Sequence, residues 1–250
     1  MTKKTKASSK LQALLLQTAV LWPFIAISSF AQDNTLTAAE RAAGWQLLFD
    51  GRDMTHWRNF KQQGLSDMWM AEDGAMKLSA GGGGDILTKK KFKDFDLRLE
   101  WKIAAGGNSG IFILVDEEGK KIYSHAPEIQ ILDNERHSDN GQPSHLSGSL
   151  YDMVASPIES HKPAGEWNQV RIVFQAGRIQ VWQNAVATVD VEIGISAWNT
   201  ALAASKFGSW WGGLLGDWEG FADAREGYIG LQDHGDRVAF RNIKIKELGE

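Results

Sequence analysis

From about residue 36 onward, apolar and polar positions alternate with a period of two, the spacing of β-strands. The stretch FDLRLEWKI, Phe95–Ile103, shows it most clearly. Leu97, Leu99, Trp101 and Ile103 share one side, and Asp96, Arg98, Glu100 and Lys102 share the other. The same pattern predicts strands at Trp69–Glu72 and Ala75–Leu78, around an Asp73-Gly74 hairpin turn. It continues at 85–88, 109–115, Glu128–Leu132, 150–154, 170–174, 179–184, 186–191, 228–232 and 238–246. About a dozen short strands with turns between them predict an all-β chain, two antiparallel sheets packed as a jelly-roll sandwich. A capping box at Thr37 and Glu40 opens a short helix that ends near Gly44. Residues 196–207 have helical composition. The next stretch, 208–221 (GSWWGGLLGDWEGF), is a Gly- and Trp-rich insertion that either lids a cleft or plugs a sheet edge.

The first 31 residues read differently. Lys3, Lys4, Lys6 and Lys10 precede an apolar run from Leu11 to Ile27, and Ser29-Phe30-Ala31 offers small residues where a signal peptidase cuts. This predicts a cleaved export signal over residues 1–31, a periplasmic or secreted protein, and no integral membrane segment after cleavage. A single domain is expected over residues 36–248. Removing the signal leaves 23 of the 27 basic residues against 31 acids, a net charge of −8, which argues against a nucleic-acid partner. The chain has no cysteine, so neither a disulfide nor a lipobox is available, and stability must come from a core.

Polar residues on the outward sides of the strands supply the candidate chemistry. Glu128 and Gln130 form one polar row, Arg98 and Lys102 belong to another, and Gln232 to a third with His234 just beyond. Asn108 enters a further strand after a Gly-Gly turn. Amides, a carboxylate, a guanidinium and an imidazole on a shared face suit a polyhydroxylated ligand, because each sugar hydroxyl both donates and accepts. The plain alternative is a solvated surface with cross-strand ion pairs, in which Glu128 pairs with Arg98 or Lys102. His56, His137 and His161 show no partner in sequence, and no His-x-His or His-x-x-x-His spacing marks a zinc site.

Several stretches taken together resemble one family. GWQLLFDGRDMTHW (44–57), DFDLRLEWKIAAGGNSGIFI (94–113), PEIQILDN (127–134), HKPAGEWNQVRIV (161–173), SKF (205–207) and GYIGLQDHGDRVAFRNIKIKEL (227–248) are similar to the 3-keto-disaccharide hydrolase domain. The resemblance implies a concanavalin A-like jelly roll and an enzyme that cleaves glycosides already oxidised to a ketone at C3. Such a sugar can be opened by one base that removes the C2 hydrogen, after which the enolate expels the C1 substituent and water adds back. On this resemblance Glu128 and His234 are the candidates for proton transfer, with Glu128 as base or metal ligand. Arg98 and Lys102 would stabilise the enolate or bind sugar. Asn108, Gln130 and Gln232 would orient hydroxyls, with Tyr151 assisting. The resemblance also admits a divalent cation, calcium or manganese, on Glu128, His145 and His234. The Trp-rich stretch 208–221 departs from the family's pattern and bears on substrate size.

Two other functions remain open at this stage. The same sandwich serves non-catalytic carbohydrate-binding modules. A conventional β-glucan hydrolase would need a second carboxylate near Glu128. Asp133 has the wrong strand parity to be that group without a bulge.

Overall fold

The structure, a computed structural model, describes residue 1, residues 33–208 and residues 218–249. The export signal read from residues 1–31 and the centre of the Trp-rich insertion, 209–217, lie outside the described residues. Every element below belongs to the unit Ala31–Glu250.

The chain opens with helix α1 (Ala38–Ala42), and the predicted capping box is formed by Thr37 and Glu40. Thirteen strands follow: β1 (Trp45–Leu47), β2 (Trp57–Asn59), β3 (Trp69–Glu72), β4 (Ala75–Leu78), β5 (Ile86–Thr88), β6 (Phe95–Ile103), β7 (Asn108–Val115), β8 (Glu128–Leu132), β9 (Asn168–Gln175), β10 (Arg178–Gln183), β11 (Val186–Glu192), β12 (Tyr228–Leu231) and β13 (Val238–Glu247). Helix α2 (Ser196–Ala204) precedes the insertion. The strands form two antiparallel sheets. One has the order β11-β10-β9-β6-β13-β4-β3, with β1 also on β13; the other has the order β2-β5-β12-β7-β8. This is the all-β jelly-roll sandwich expected from the alternation. Asp73 and Gly74 both have positive φ, as a two-residue hairpin turn requires.

The larger sheet turns Leu97, Leu99, Trp101 and Ile103 inward, the smaller turns Ile111, Ile113, Ile129 and Ile131 inward, and one core joins them. The outer face of the smaller sheet is covered as well. Leu87, Phe112 and Val115 pack there against Ile122 and Ala126 of the loop after β7. Every residue of β7 and β8 is therefore buried, whereas β6 alternates over most of its length.

Two expectations needed correction. Residues 150–154 form a turn, because Met153 and Val154 both donate to the Leu150 carbonyl and Asp152 takes φ 58°. Only isolated bridges to Ile129 and Val154 remain of the strand. Conversely, β1 and β2 went unpredicted, since three residues are too few to display a period of two.

Candidate functional site

The registers bring four polar side chains to the covered outer face of the smaller sheet. Glu128 and Gln130 stand opposite Phe112 and Gly110, and Leu132 opposite Asn108. On the other side of β7, Gly230 stands opposite Phe112. The Gln232 N–H extends that ladder by donating to the Gly110 carbonyl at 3.1 Å. Strand residues alternate in direction, so Glu128, Gln130, Asn108 and Gln232 share this face while Ile129, Ile131, Ile111 and Leu231 enter the core. Gly110 makes the arrangement feasible: a Cβ there would stand 2.1 Å from Glu128 Oε1. The carboxylate lies across the strand where any other residue would put a side chain.

Buried amides normally find partners. Here both amide atoms of Gln130, Oδ1 of Asn108 and Oε1 of Gln232 have none among the described residues. Glu128 is 7 % exposed. Burial pushes its carboxyl up to about 8, with Lys206 opposing the rise and Asp85 and Asp139 adding to it. Asp85 accepts the Asp233 N–H at 2.9 Å and is itself pushed up by burial, to about 6.

Lys206 follows α2 and faces this carboxylate electrostatically. Burial draws its ammonium below the ordinary lysine range, against the pull of Glu128, Asp152 and Asp139. Its Nζ lies 4.3 Å from the ring centre of Tyr151, 5.1 Å from that of Phe207 and 5.7 Å from that of Trp218. Aromatic faces thus hold the cation in place. The Tyr151 hydroxyl donates to Asp139 Oδ2 at 2.9 Å, and burial together with that carboxylate keeps the phenol protonated.

The sequence-predicted residues divide between this site and other places. Glu128, Gln130, Asn108, Gln232 and Tyr151 come together. Arg98 and Lys102 do not. They lie on the outer face of the larger sheet, where Arg98 pairs with Asp96 at 3.1 Å and stacks over Trp45, and Lys102 sits over Trp167. The core lies between them and Glu128, because parity within a strand does not say which sheet the strand joins. His234 lies at the far end of this face, beyond Gln232 and beside Asn108. It groups with His137 and Asp236 near the Asn108 end of β7, where Asp236 accepts the Asn108 N–H. That end is about 13 Å along the strand from the Phe112–Glu128 row. Lys206, Asp139 and Asp152 were missed. The SKF segment quoted for the resemblance contains Lys206, but a lysine after a helix carries no periodic signal.

The expected metal set of Glu128, His145 and His234 is not assembled. His145 has both ring nitrogens against carboxylates, Nδ1 to Asp139 at 2.8 Å and Nε2 to Asp152 at 3.0 Å, so an ion would have to displace one of those acids. Among the described residues, the one grouping with ligand atoms close enough is His137, His234 and Asp236, within 4.8 Å of one another. Two imidazoles and a carboxylate suit manganese better than calcium, which prefers oxygen. However, His137 Nδ1 accepts the Asp139 N–H at 3.0 Å. That bond leaves the ring's proton on Nε2, so an ion would have to displace one or the other.

The assembled residues therefore offer a buried carboxyl held well above the usual carboxylate range, a caged cation, a fixed phenol and unpartnered amides. Comparisons with known proteins show the chain's family. The model of the 3-keto-alpha-glucoside-1,2-lyase-like domain matches residues 44–246. A Bacteroides thetaiotaomicron protein named 3-keto-disaccharide hydrolase is 37% identical over 243 residues, covering 87% of this chain and 83% of the relative. A crystal structure from Parabacteroides distasonis, provisionally assigned as a glycosyl hydrolase, superposes with TM-score 0.75 at 30% identity, over 87% of this chain and all (100%) of that one. A second from the same organism, assigned likewise, gives TM-score 0.64 at 26% identity, over 82% of this chain and 99% of its own. Sequence and fold agree over nearly the whole sandwich, and the chain belongs to the 3-keto-alpha-glucoside-1,2-lyase-like domain family.

Proposed function

We propose that this protein is a carbohydrate-active enzyme of the exported compartment that cleaves 3-keto-glycosides by proton abstraction and elimination. One observation carries the reading. Glu128 is a buried carboxylate pushed up to about 8, and it faces a caged lysine in place of a second free carboxylate. The two acids that influence it are committed elsewhere, Asp139 to Tyr151 and His145 and Asp85 to the Asp233 N–H. A double-displacement or inverting glycosidase needs a pair of free carboxyl groups flanking the bond. An elimination needs one.

In this scheme Glu128 removes the C2 proton, whose acidity comes from the neighbouring C3 ketone. Charge gathers on the C3 oxygen, and the Lys206 ammonium stabilises it in a site from which water is largely excluded. The enolate re-forms its carbonyl, the C1–O bond breaks, and the protonated Glu128 returns its proton to the departing oxygen. Water adding across the resulting enone completes a net hydrolysis. Gln130, Asn108 and Gln232 supply hydrogen bonds to sugar hydroxyls, and Tyr151 offers its oxygen lone pair while donating to Asp139.

The test is incubation of the protein, freed of residues 1–31, with a 3-keto-glucoside in deuterium oxide, with and without a chelator. Expected are sugar release, deuterium at C2, and turnover that changes less than about twofold on chelation. Release of sugar from an unoxidised glucoside, without exchange at C2, would overturn the reading. A chelator-sensitive rate restored by manganese would move charge stabilisation from Lys206 to the His137–His234–Asp236 group.

A further inference from the structure

Three segments meet at Glu128 without a strand to hold them: the loop 133–142, the turn 150–154 and the chain just past α2. Each is fastened to the same ring. His145 Nδ1 stands 2.8 Å from Asp139 Oδ1 and Nε2 stands 3.0 Å from Asp152 Oδ1. The second oxygens of these two acids reach outward. Asp139 Oδ2 accepts the Tyr151 hydroxyl at 2.9 Å, and Asp152 Oδ2 accepts the Lys206 N–H at 2.7 Å. The imidazole also stacks on the Tyr151 ring, with centres 4.4 Å apart and planes 25° apart. The Tyr151 N–H in turn donates to the Glu128 carbonyl at 2.9 Å.

We infer that His145 is a positioning residue, a two-sided clamp that holds Asp139 and Asp152 and through them fixes the Tyr151 hydroxyl and the Lys206 segment beside Glu128. This rests on the function proposed above but assigns a task to a residue outside the sugar's reach. Both ring nitrogens face carboxylate oxygens, so one ring fixes two acids at once. Asp139 and Lys206 are among the charges that act on Glu128. Removing the ring therefore frees Asp139 and loosens the support of the Lys206 segment.

His145→Phe keeps the stack on Tyr151 and removes both hydrogen bonds. Expected is a fall in kcat for the 3-keto-glucoside of about 10- to 100-fold, the cost of misplacing groups by about an ångström, with KM within about threefold. The rising limb of kcat/KM should move by about half a unit or more, because Asp139 and Lys206, two of the charges that act on Glu128, lose their fixed positions. His145→Ala should regain rate on addition of imidazole. A folded His145→Phe with unchanged kcat and an unmoved limb overturns the inference. Nitrogen-15 spectra of the unaltered protein's histidines separate this from failure of the proposed function. Both His145 ring nitrogens hydrogen-bonded, with Tyr151 resonances that shift in the Phe variant, support the clamp even if no keto-sugar is turned over. A ring bonded through one nitrogen or none, with Tyr151 unmoved, removes it.

Discussion

The outer faces of β6 and β8 look alike as strings of letters and behave in opposite ways in the fold. On β6, Asp96 receives both Arg98 and Arg171, Glu100 receives Arg241 at 2.7 Å and Gln169 at 3.2 Å, and Lys102 rests on Trp167. Every charge there has a partner, including Asp96, which is as buried as Glu128 but receives two guanidinium groups. On β8, among the described residues, the Glu128 carboxyl is buried with no cation in ion-pair contact, and Gln130 has both amide atoms unpartnered. Polar groups that satisfy one another in solvent hold strands in register and contribute little each. Polar groups that are buried and left unsatisfied cost free energy in the absence of a ligand. That difference is the ground on which the second face is proposed as the substrate's.

The most severe way to break this comparison is to remove one carboxylate and two cations in turn. Glu128→Gln should lower kcat/KM for a 3-keto-glycoside by about 10²- to 10⁴-fold, the range for a lost general base. The double change Arg98→Ala with Lys102→Ala should leave kcat/KM within about threefold and reduce stability by about 1 kcal/mol or less. Comparable losses of activity from the two variants, measured side by side, would erase the distinction between the faces.

A smaller intervention tests the lane over β7. Gly110→Ala forces Glu128 Oε1 away from a new methyl that would otherwise stand 2.1 Å from it. Expected is about a 100-fold loss of kcat from a protein whose circular dichroism is unchanged. An alanine variant with full activity would show that the carboxylate does not work from this position.

The mildest test uses pH and no substrate. Glu128 and Asp85 bind their protons more tightly folded than unfolded, with folded values of about 8 and about 6. Their contribution to stability is therefore fully present below the unfolded carboxylate range near pH 4. It is lost progressively as pH rises through 6 and 8. Melting temperature should fall over that window, and Glu128→Gln should flatten the fall and melt higher than the parent at pH 9. No such flattening is expected for Glu100→Gln on the solvated face.

Much of this molecule was legible before any coordinates. β3, β4, β6 and β8 occur at their predicted bounds, and Ile129 and Ile131 separate from Glu128 and Gln130 as alternation requires. The parts that were not legible share a cause. Lys206 and Asp139 lie in non-repetitive chain, so nothing periodic announces them. Arg98 and Lys102 were given the right parity and the wrong sheet. His145 was taken for a ligand because its sequence context hides the two carboxylates that occupy its nitrogens.

The order of amino acids by itself determined which strands form and which side of each strand is apolar, because a side chain's direction along a strand depends only on its immediate neighbours. Only the tertiary structure decided which polar face is roofed, and that choice buries Glu128 beside unpartnered amides and leaves Arg98 paired on the outer surface. The physical reason is that burial and charge are set by groups brought close from far along the chain, Lys206 and Gly110 above all, and no local pattern encodes that meeting.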